Sequence, residues 1–100
     1  MVVLMIQDFA GGNREIAEAV SSDMDVRENP PAGLIAHVLT DIPTGIRAVD
    51  IWESEADFQT FAEERLMPSA QKVSQERGIP TDGISDPTFV EVYDLFVRGG

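Results

Sequence analysis

The chain contains one histidine and one tryptophan, and both occur between Gly33 and Leu66. His37 lies in one short apolar run, and Trp52 ends a second run that also contains Asp50. An imidazole held by a carboxylate can work as a general base, because the carboxylate fixes the tautomer of the ring. We therefore regard His37 as the candidate base and Asp50 as the residue that orients it.

Several aromatic side chains are candidates for binding a ligand beside this pair. Trp52 can stack on an aromatic ring, and Phe58 and Phe61 can form further walls of the same site. Tyr93 can donate a hydrogen bond to a phenolate or enolate oxygen. Each residue also has a structural alternative: Trp52 in the core, Tyr93 on a strand surface or interface, and His37 hydrogen-bonded at a dimer interface.

These side chains can cooperate only if the two strands that carry them present the same face. Pairing Leu39 with Ile46 places His37 and Asp50 as diagonal neighbours, about 7–8 Å apart between backbones. Trp52 then shares their face of the sheet. A slip of one residue would move His37 to the other face and separate the pair.

The opposite face of the same two strands is mostly apolar. We expect this face to receive the helices, because helices cover the apolar side of a sheet. Its residues are Leu34, Ala36, Val38, Arg47, Val49 and Ile51.

The formal net charge of −11 bears on the class of partner. The seven basic residues are spread along the chain without a cluster. Such a surface repels phosphate backbones and anionic lipid, so neither nucleic acid nor a membrane is expected as a partner.

Residue types that bind metals or form covalent bonds are scarce. The chain has no cysteine, which excludes disulfides, thiolate nucleophiles and cysteine-ligated metal sites. With one histidine, a site of several histidines within one chain is excluded as well. We expect neither a metal nor a cofactor.

One hundred residues correspond to a single domain, 1–100, with one modest core. A two-layer fold of this size commonly finishes burying its sheet by dimerising, so we expect a homodimer. No stretch approaches the roughly 20 apolar residues that span a bilayer, and Met1–Ile6 is too short for a signal peptide. A cytoplasmic location is the expectation.

The hydrophobic pattern and the Gly and Pro positions predict the element order β-α-β-β-α-β. Strands are expected at Val2–Phe9, about 34–40, about 46–52 and Thr88–Val97. Helices are expected at about 14–24 and from Ser54 to Gly78, with a tail at Arg98–Gly100. Short connections and right-handed crossovers make this order an α+β, ferredoxin-like antiparallel sheet with two helices on one face.

Capping residues mark the helix ends. Asn13 can cap the first helix, and Ser54 can cap the second with Asp57 three residues later. Pro68 lacks an amide donor, so it must kink the second helix or open a new segment. Gly78 is typical of a helix C-terminus.

Three patterns resemble a known family: Gly-Leu-Ile-x-His, Gly-x-x-x-Val-Asp-x-Trp-Glu-Ser and Phe-x-x-Phe-x-x-Glu-Arg-Leu-x-Pro. They run from Gly33 to Pro68. They are similar to the small antibiotic biosynthesis monooxygenase-like (ABM-like) proteins of the dimeric α+β barrel superfamily, and the element order agrees over nearly the whole chain. The resemblance implies that two sheets pair into a barrel.

The wider superfamily includes cofactor-independent oxygenases, haem-degrading enzymes and polyketide cyclases, so the fold alone does not set the reaction. Oxygenases of this type often use an Asn with a Trp in the pocket. The asparagines here, Asn13 and Asn29, fall in predicted loops, which is a departure from that pattern.

Two functions are compatible with these observations. The first is a small cofactor-independent enzyme, monooxygenase-like or cyclase-like, that acts on an aromatic or polyketide-type molecule with His37 as base. The alternative is a non-catalytic dimer that binds a small hydrophobic ligand or a partner.

Overall fold

A computed structural model describes residues 1–99, and their elements follow the predicted order β-α-β-β-α-β. The strands are β1 (Val3–Ala10), β2 (Leu34–Ile42), β3 (Gly45–Trp52) and β4 (Thr88–Glu91). The helices are α1 (Arg14–Met24), α2 (Glu55–Phe61) and α3 (Met67–Arg77), with a π-helical turn (Ala62–Leu66) between α2 and α3.

The strands form an antiparallel sheet in the order β2-β3-β1-β4. The predicted α+β class is confirmed. The core lies between the sheet and the helices, where Met5, Trp52 and Phe58 are fully buried. Within residues 1–99, no helix combines the length and apolarity that crossing a bilayer requires.

The helix ends match their predicted caps. The Asn13 side chain accepts a hydrogen bond from the Ile16 amide at 2.9 Å, which satisfies a free donor in the first turn of α1. Ser54 does the same for the Asp57 amide at 3.1 Å at the start of α2. Gly78 ends α3 in the left-handed conformation at φ 67°.

Pro68 divides the second helix as predicted, by opening a new segment. It lies in the first turn of α3, where a missing amide donor costs little. The π-helical turn lies directly before it. Widening the helix there is one way to accommodate the hydrogen bond that Pro68 cannot make.

The predicted pairing of β2 with β3 is wrong by two residues. His37 lies directly opposite Asp50 rather than diagonal to it. The strands extend to Ile42 and Gly45, so the turn contains only Pro43–Thr44 and is shorter than the predicted connection. Because two residues are one full period of a strand, each side chain keeps its face.

The face that receives the helices is also the reverse of the prediction. The helices pack on the side of His37, Asp50 and Trp52, where Phe58 and Phe61 meet Trp52. The prediction compared the two faces of β2 and β3 only. The neighbouring strand β1 adds Val3, Met5 and Phe9 to the side of His37, which makes that side the apolar one. The polar side chains here are accommodated because they hydrogen-bond each other.

A β-bulge interrupts β2 near its start. Leu34 pairs with Trp52 and Ala36 pairs with Ile51, which leaves Ile35 as an extra residue. The bulge resets the alternation of side chains, so Leu34 joins the helix-facing side that it was predicted to avoid.

The last strand is shorter than the predicted Thr88–Val97. Glu91 pairs with Val3, the first residue of β1, so no further β1 strand backbone is available to continue the ladder. One more hydrogen bond follows, from the Val92 amide to the Val2 carbonyl oxygen at 2.9 Å. Gly100, at the end of the predicted tail, lies outside the described residues.

Candidate active site

A cavity of about 120 Å³ lies between the helix-facing side of the sheet and helices α1 and α2. Its walls are mostly apolar. Residues predicted for the site that line it are His37, Asp50, Trp52, Phe58 and Phe61. An apolar cavity with a few convergent polar groups is the usual form of a small-molecule site.

His37 and Asp50 form the polar part of one wall. The Nδ1 atom of His37 lies 2.6 Å from the Oδ1 atom of Asp50. The side chain of Asp50 is 5% exposed, whereas that of His37 is 37% exposed. The pair therefore connects the buried part of the cavity with solvent along the edge strand β2.

Trp52 also contacts Asp50. Its Nε1–H donates a hydrogen bond to the Oδ2 atom of Asp50 at 3.2 Å. Both oxygens of this buried carboxylate therefore have an aromatic N–H partner, which offsets the cost of removing the charge from water. Within residues 1–99, no buried side-chain nitrogen or oxygen lacks a hydrogen-bond partner.

This geometry sets the tautomer of the imidazole. An ionised carboxylate can only accept hydrogen bonds, so the Nδ1 atom of His37 must carry the proton that faces Asp50. In the neutral ring, Nε2 is then the atom that can accept a proton. The arrangement is competent for general-base chemistry.

Trp52 is a core residue as well as a cavity wall. Its ring packs edge-on against Phe58 at a centroid distance of 5.6 Å and tilted against Phe61 at 5.3 Å. Both the predicted wall and its core alternative therefore describe the position of Trp52. The cluster is rigid because Trp52 and Phe58 are almost completely buried.

Tyr93 is not brought to the site. It was predicted to lie within the last strand, but it follows the end of β4 and is fully exposed, at 101% of the reference area. It is not among the residues that line the cavity. Within one chain, a hydrogen bond from Tyr93 to a ligand beside His37 has no support.

The sequence analysis did not assign most of the other cavity residues to the site, among them Gln7, Met24 and Val26. Gln7 lies on the helix-facing side of β1, and its Nε2 donates to the Ser85 carbonyl oxygen at 2.9 Å. Gln7 is the one polar residue among the side chains of β1 that face the helices, and this pattern could have marked it as a site residue. Met24 and Val26 also line the cavity, at and just beyond the end of α1. No local pattern marks a residue after a helix as part of a site.

Arg65, in the π-helical turn, fixes the segment that contains these two residues. Its guanidinium donates to the Met24 carbonyl oxygen and, at 2.8 Å, to the Asn29 carbonyl oxygen. The same group lies 5.9 Å from the centroid of the Phe61 ring. The loop after α1 is therefore tied to the aromatic cluster.

Charged groups on the other side of the sheet are paired. Arg47 donates to both carboxylate oxygens of Asp8, at 2.7 and 2.9 Å. These hydrogen bonds hold the pKa of Asp8 below its usual value. Within residues 1–99, no group of three or more histidine or acidic side chains is placed to bind a metal ion.

Solved structures with a similar fold match nearly the whole chain. A Chloroflexus aurantiacus protein assigned to the antibiotic biosynthesis monooxygenases shares 15% identity at a TM-score of 0.60, covering 98% of both chains. SnoaB, a cofactor-independent oxygenase from Streptomyces nogalater, shares 12% at 0.58, covering 94% of both. The ActVA-Orf6 monooxygenase of Streptomyces coelicolor, in complex with the ligand Nanaomycin D, shares 16% at 0.51, covering 98% of this chain and 92% of that one.

No protein-family model matches the chain, and no curated protein matches its sequence. At the identities of the solved structures, the likeness concerns the fold. The resemblance noted between Gly33 and Pro68 is confirmed at that level. The chain has the α+β fold of the antibiotic biosynthesis monooxygenase-like proteins.

Proposed function

We propose that this protein is a cofactor-independent oxygenase that uses His37 to deprotonate an electron-rich aromatic ligand in the cavity. The observation that carries the proposal is the 2.6 Å contact between His37 and the buried carboxylate of Asp50, at the wall of an apolar cavity. SnoaB, which shares the fold, is itself a cofactor-independent oxygenase.

The residues have distinct roles in this proposal. His37 is the base, and Asp50 is a positioning residue that holds its tautomer. Trp52, Phe58 and Phe61 form the wall against which the ring of the ligand packs. The Nanaomycin D complex of ActVA-Orf6 supports a small-molecule ligand for a chain with this fold.

The chemistry balances without a further reductant. Transfer of the hydroxyl proton of a phenol to His37 gives a phenolate, whose ring carbons can react with O₂. Phenol and O₂ then give a para-quinone and water. One oxygen atom forms the new carbonyl at the para carbon, and the other leaves as water with the ring hydrogen and the hydroxyl proton. The same base can drive an aldol cyclisation of a polyketide-type substrate when O₂ is absent.

The test is oxygen uptake with a panel of phenols and hydroquinones, comparing wild type with His37→Ala. We expect one O₂ consumed for each quinone formed, and loss of this turnover in the variant, which should stay folded at a somewhat lower melting temperature because Asp50 loses a hydrogen-bond donor. Gln71→Ala, at an exposed position of α3, is the control. Turnover that persists without His37 would exclude it as the base. Tight ligand binding without turnover would favour a non-catalytic binding protein, and product formed without O₂ would favour a cyclase.

We also propose that the protein is a homodimer. Apart from the Asp8–Arg47 pair, the side of the sheet that faces away from the helices is mostly apolar, and it carries Val38 and Val90, each 53% exposed. Val49, beside Val38, continues this apolar side. Contiguous apolar surface of this kind marks an interface, and a second copy of the same sheet is complementary to it.

A further inference from the structure

We infer that the cavity admits a single aromatic ring, and that Met24 and Val26 set this limit. The inference deepens the proposed function and rests on it only for the reaction, because size selection can be measured by binding alone. The two residues are called the outer wall below. They line the cavity on the side of helix α1 and the loop that follows it.

The volume supports one ring. The cavity measures about 120 Å³. An apolar protein cavity of about 150 Å³ is large enough to bind benzene. The space here is comparable with that of one such ring, whose hydroxyl would point towards the partly exposed His37. A second fused ring that entered the cavity as well would have to displace part of a wall.

The inner wall cannot move at low cost. Met5, Trp52 and Phe58 are almost completely buried and pack against one another in the core. Trp52 is held further by its hydrogen bond to Asp50. Shifting these side chains would open gaps or force strained rotamers in a closely packed core.

The outer wall is fixed by its backbone. Met24 ends α1, and Asp25 follows in the left-handed conformation at φ 56°, which turns the chain so that Val26 also faces the cavity. Arg65 binds the carbonyl oxygens of Met24 and Asn29, at either end of this turn. Because this backbone is held in place, the sizes of the Met24 and Val26 side chains limit the size of the ligand.

Isothermal titration calorimetry with phenol, 1-naphthol and 1-hydroxyanthracene tests the limit, because these probes carry one hydroxyl on one, two or three rings. Burial of more apolar surface alone would strengthen binding with each ring. We expect the reverse order, with saturable binding of phenol, at least tenfold weaker binding of 1-naphthol and no saturation with the three-ring probe.

Met24→Ala should improve the affinity for 1-naphthol relative to phenol at least tenfold. Met67→Ala makes the same change at a position that does not line the cavity, and it should leave the order unchanged. If Met24→Ala does not fold, Val26→Ala tests the same wall.

Three results would overturn the inference: wild type that binds 1-naphthol or the three-ring probe as tightly as phenol, wild type that does not bind phenol, or an outer-wall variant no different from Met67→Ala. The oxygenase proposal and the size limit can be disproved independently of each other. Binding of phenol without oxygen uptake removes the oxygenase and leaves the size limit. Turnover of a three-ring phenol that depends on His37 removes the size limit and leaves the oxygenase.

Discussion

Asp50 lies directly opposite His37 in the sheet, and its Oδ1 atom is 2.6 Å from the Nδ1 atom of the imidazole. The other oxygen of the same carboxylate accepts the indole N–H of Trp52. One buried charge therefore orients both the base and the largest ring of the cavity wall. Changes at Asp50 should therefore affect reaction and stability together.

Asp50→Asn keeps the shape of the side chain but removes its charge. The amide has an oxygen at only one of the two positions that the rings contact, and its NH₂ group at the other position favours the opposite tautomer if it faces His37. We expect kcat to fall about 10²–10⁴-fold with little change in KM, in line with the loss of a general base. Nitrogen NMR of the single histidine reports the tautomer directly. Asp41→Asn, at the surface pair with Arg14, should change neither quantity.

Trp52→Phe removes the indole N–H and part of the ring. Losing a donor to a buried carboxylate and leaving a small cavity should lower the free energy of unfolding by about 3 kcal/mol. Urea denaturation measures this change. The substitution should cost less in an Asp50→Asn background, because part of the cost is the charge left without its donor. Equal costs in both backgrounds would show that packing alone accounts for the effect.

Gly45→Ala tests the start of β3, where the short hairpin turn meets β1. A Cβ there would collide with the carbonyl oxygen of Phe9, which is backbone and cannot turn away. We expect a loss of about 3 kcal/mol in unfolding free energy. At Gly78, no described atom lies within 4 Å of such a Cβ. Gly78→Ala should therefore lower the unfolding free energy by only about 1–2 kcal/mol, because alanine is disfavoured in the left-handed conformation. Melting curves of the two variants give the comparison.

Asp23 gives the protein a defined response to acid. Hydrogen bonds from Lys72 and, to a smaller extent, from Ser69 hold the pKa of Asp23 below its usual value. In the unfolded chain, an aspartate titrates near pH 3.9. The stability from this group is therefore present above about pH 4 and is lost as the pH falls through the lower pKa of the folded state.

Denaturation at pH 5 and pH 3 measures this loss. Asp23→Asn and Lys72→Met should each lose less stability than wild type between the two pH values. A wild-type loss that neither variant reduces would show that other carboxylates determine the acid sensitivity.

Val38→Lys tests the homodimer. A charged side chain on the exposed apolar side of the sheet would have to be buried between two copies, at a high cost in free energy. We expect light scattering to give the mass of two chains for wild type and of one chain for the variant. Gln71→Lys, on the exposed side of α3, adds the same charge elsewhere and should leave the mass unchanged. A single-chain mass for wild type would contradict the proposal.

The elements and their caps could be predicted because each depends on local chemistry. Asn13 and Ser54 satisfy amides within their own helices, and Pro68 acts on the turn that contains it. The shared face of His37 and Asp50 was also predictable. It depends only on the two-residue period of a strand, so an error of two residues in the register leaves each side chain on the same face.

Other features depend on partners that are distant in sequence. The length of β4 is set by the start of β1, and the side that binds the helices is set by three strands together. Arg65 binds carbonyl oxygens of a loop 36 and 41 residues away. Side-chain patterns do not record backbone acceptors, so this contact, and with it the outer wall of the cavity, could not be predicted.

The extra residue at Ile35 isolates the register of β2 from the chain that precedes it. It lies between the loop that forms the outer wall and the strand that carries the imidazole. Because the bulge absorbs a change of phase, insertions or deletions in that loop can reshape the entrance without rotating His37 out of place.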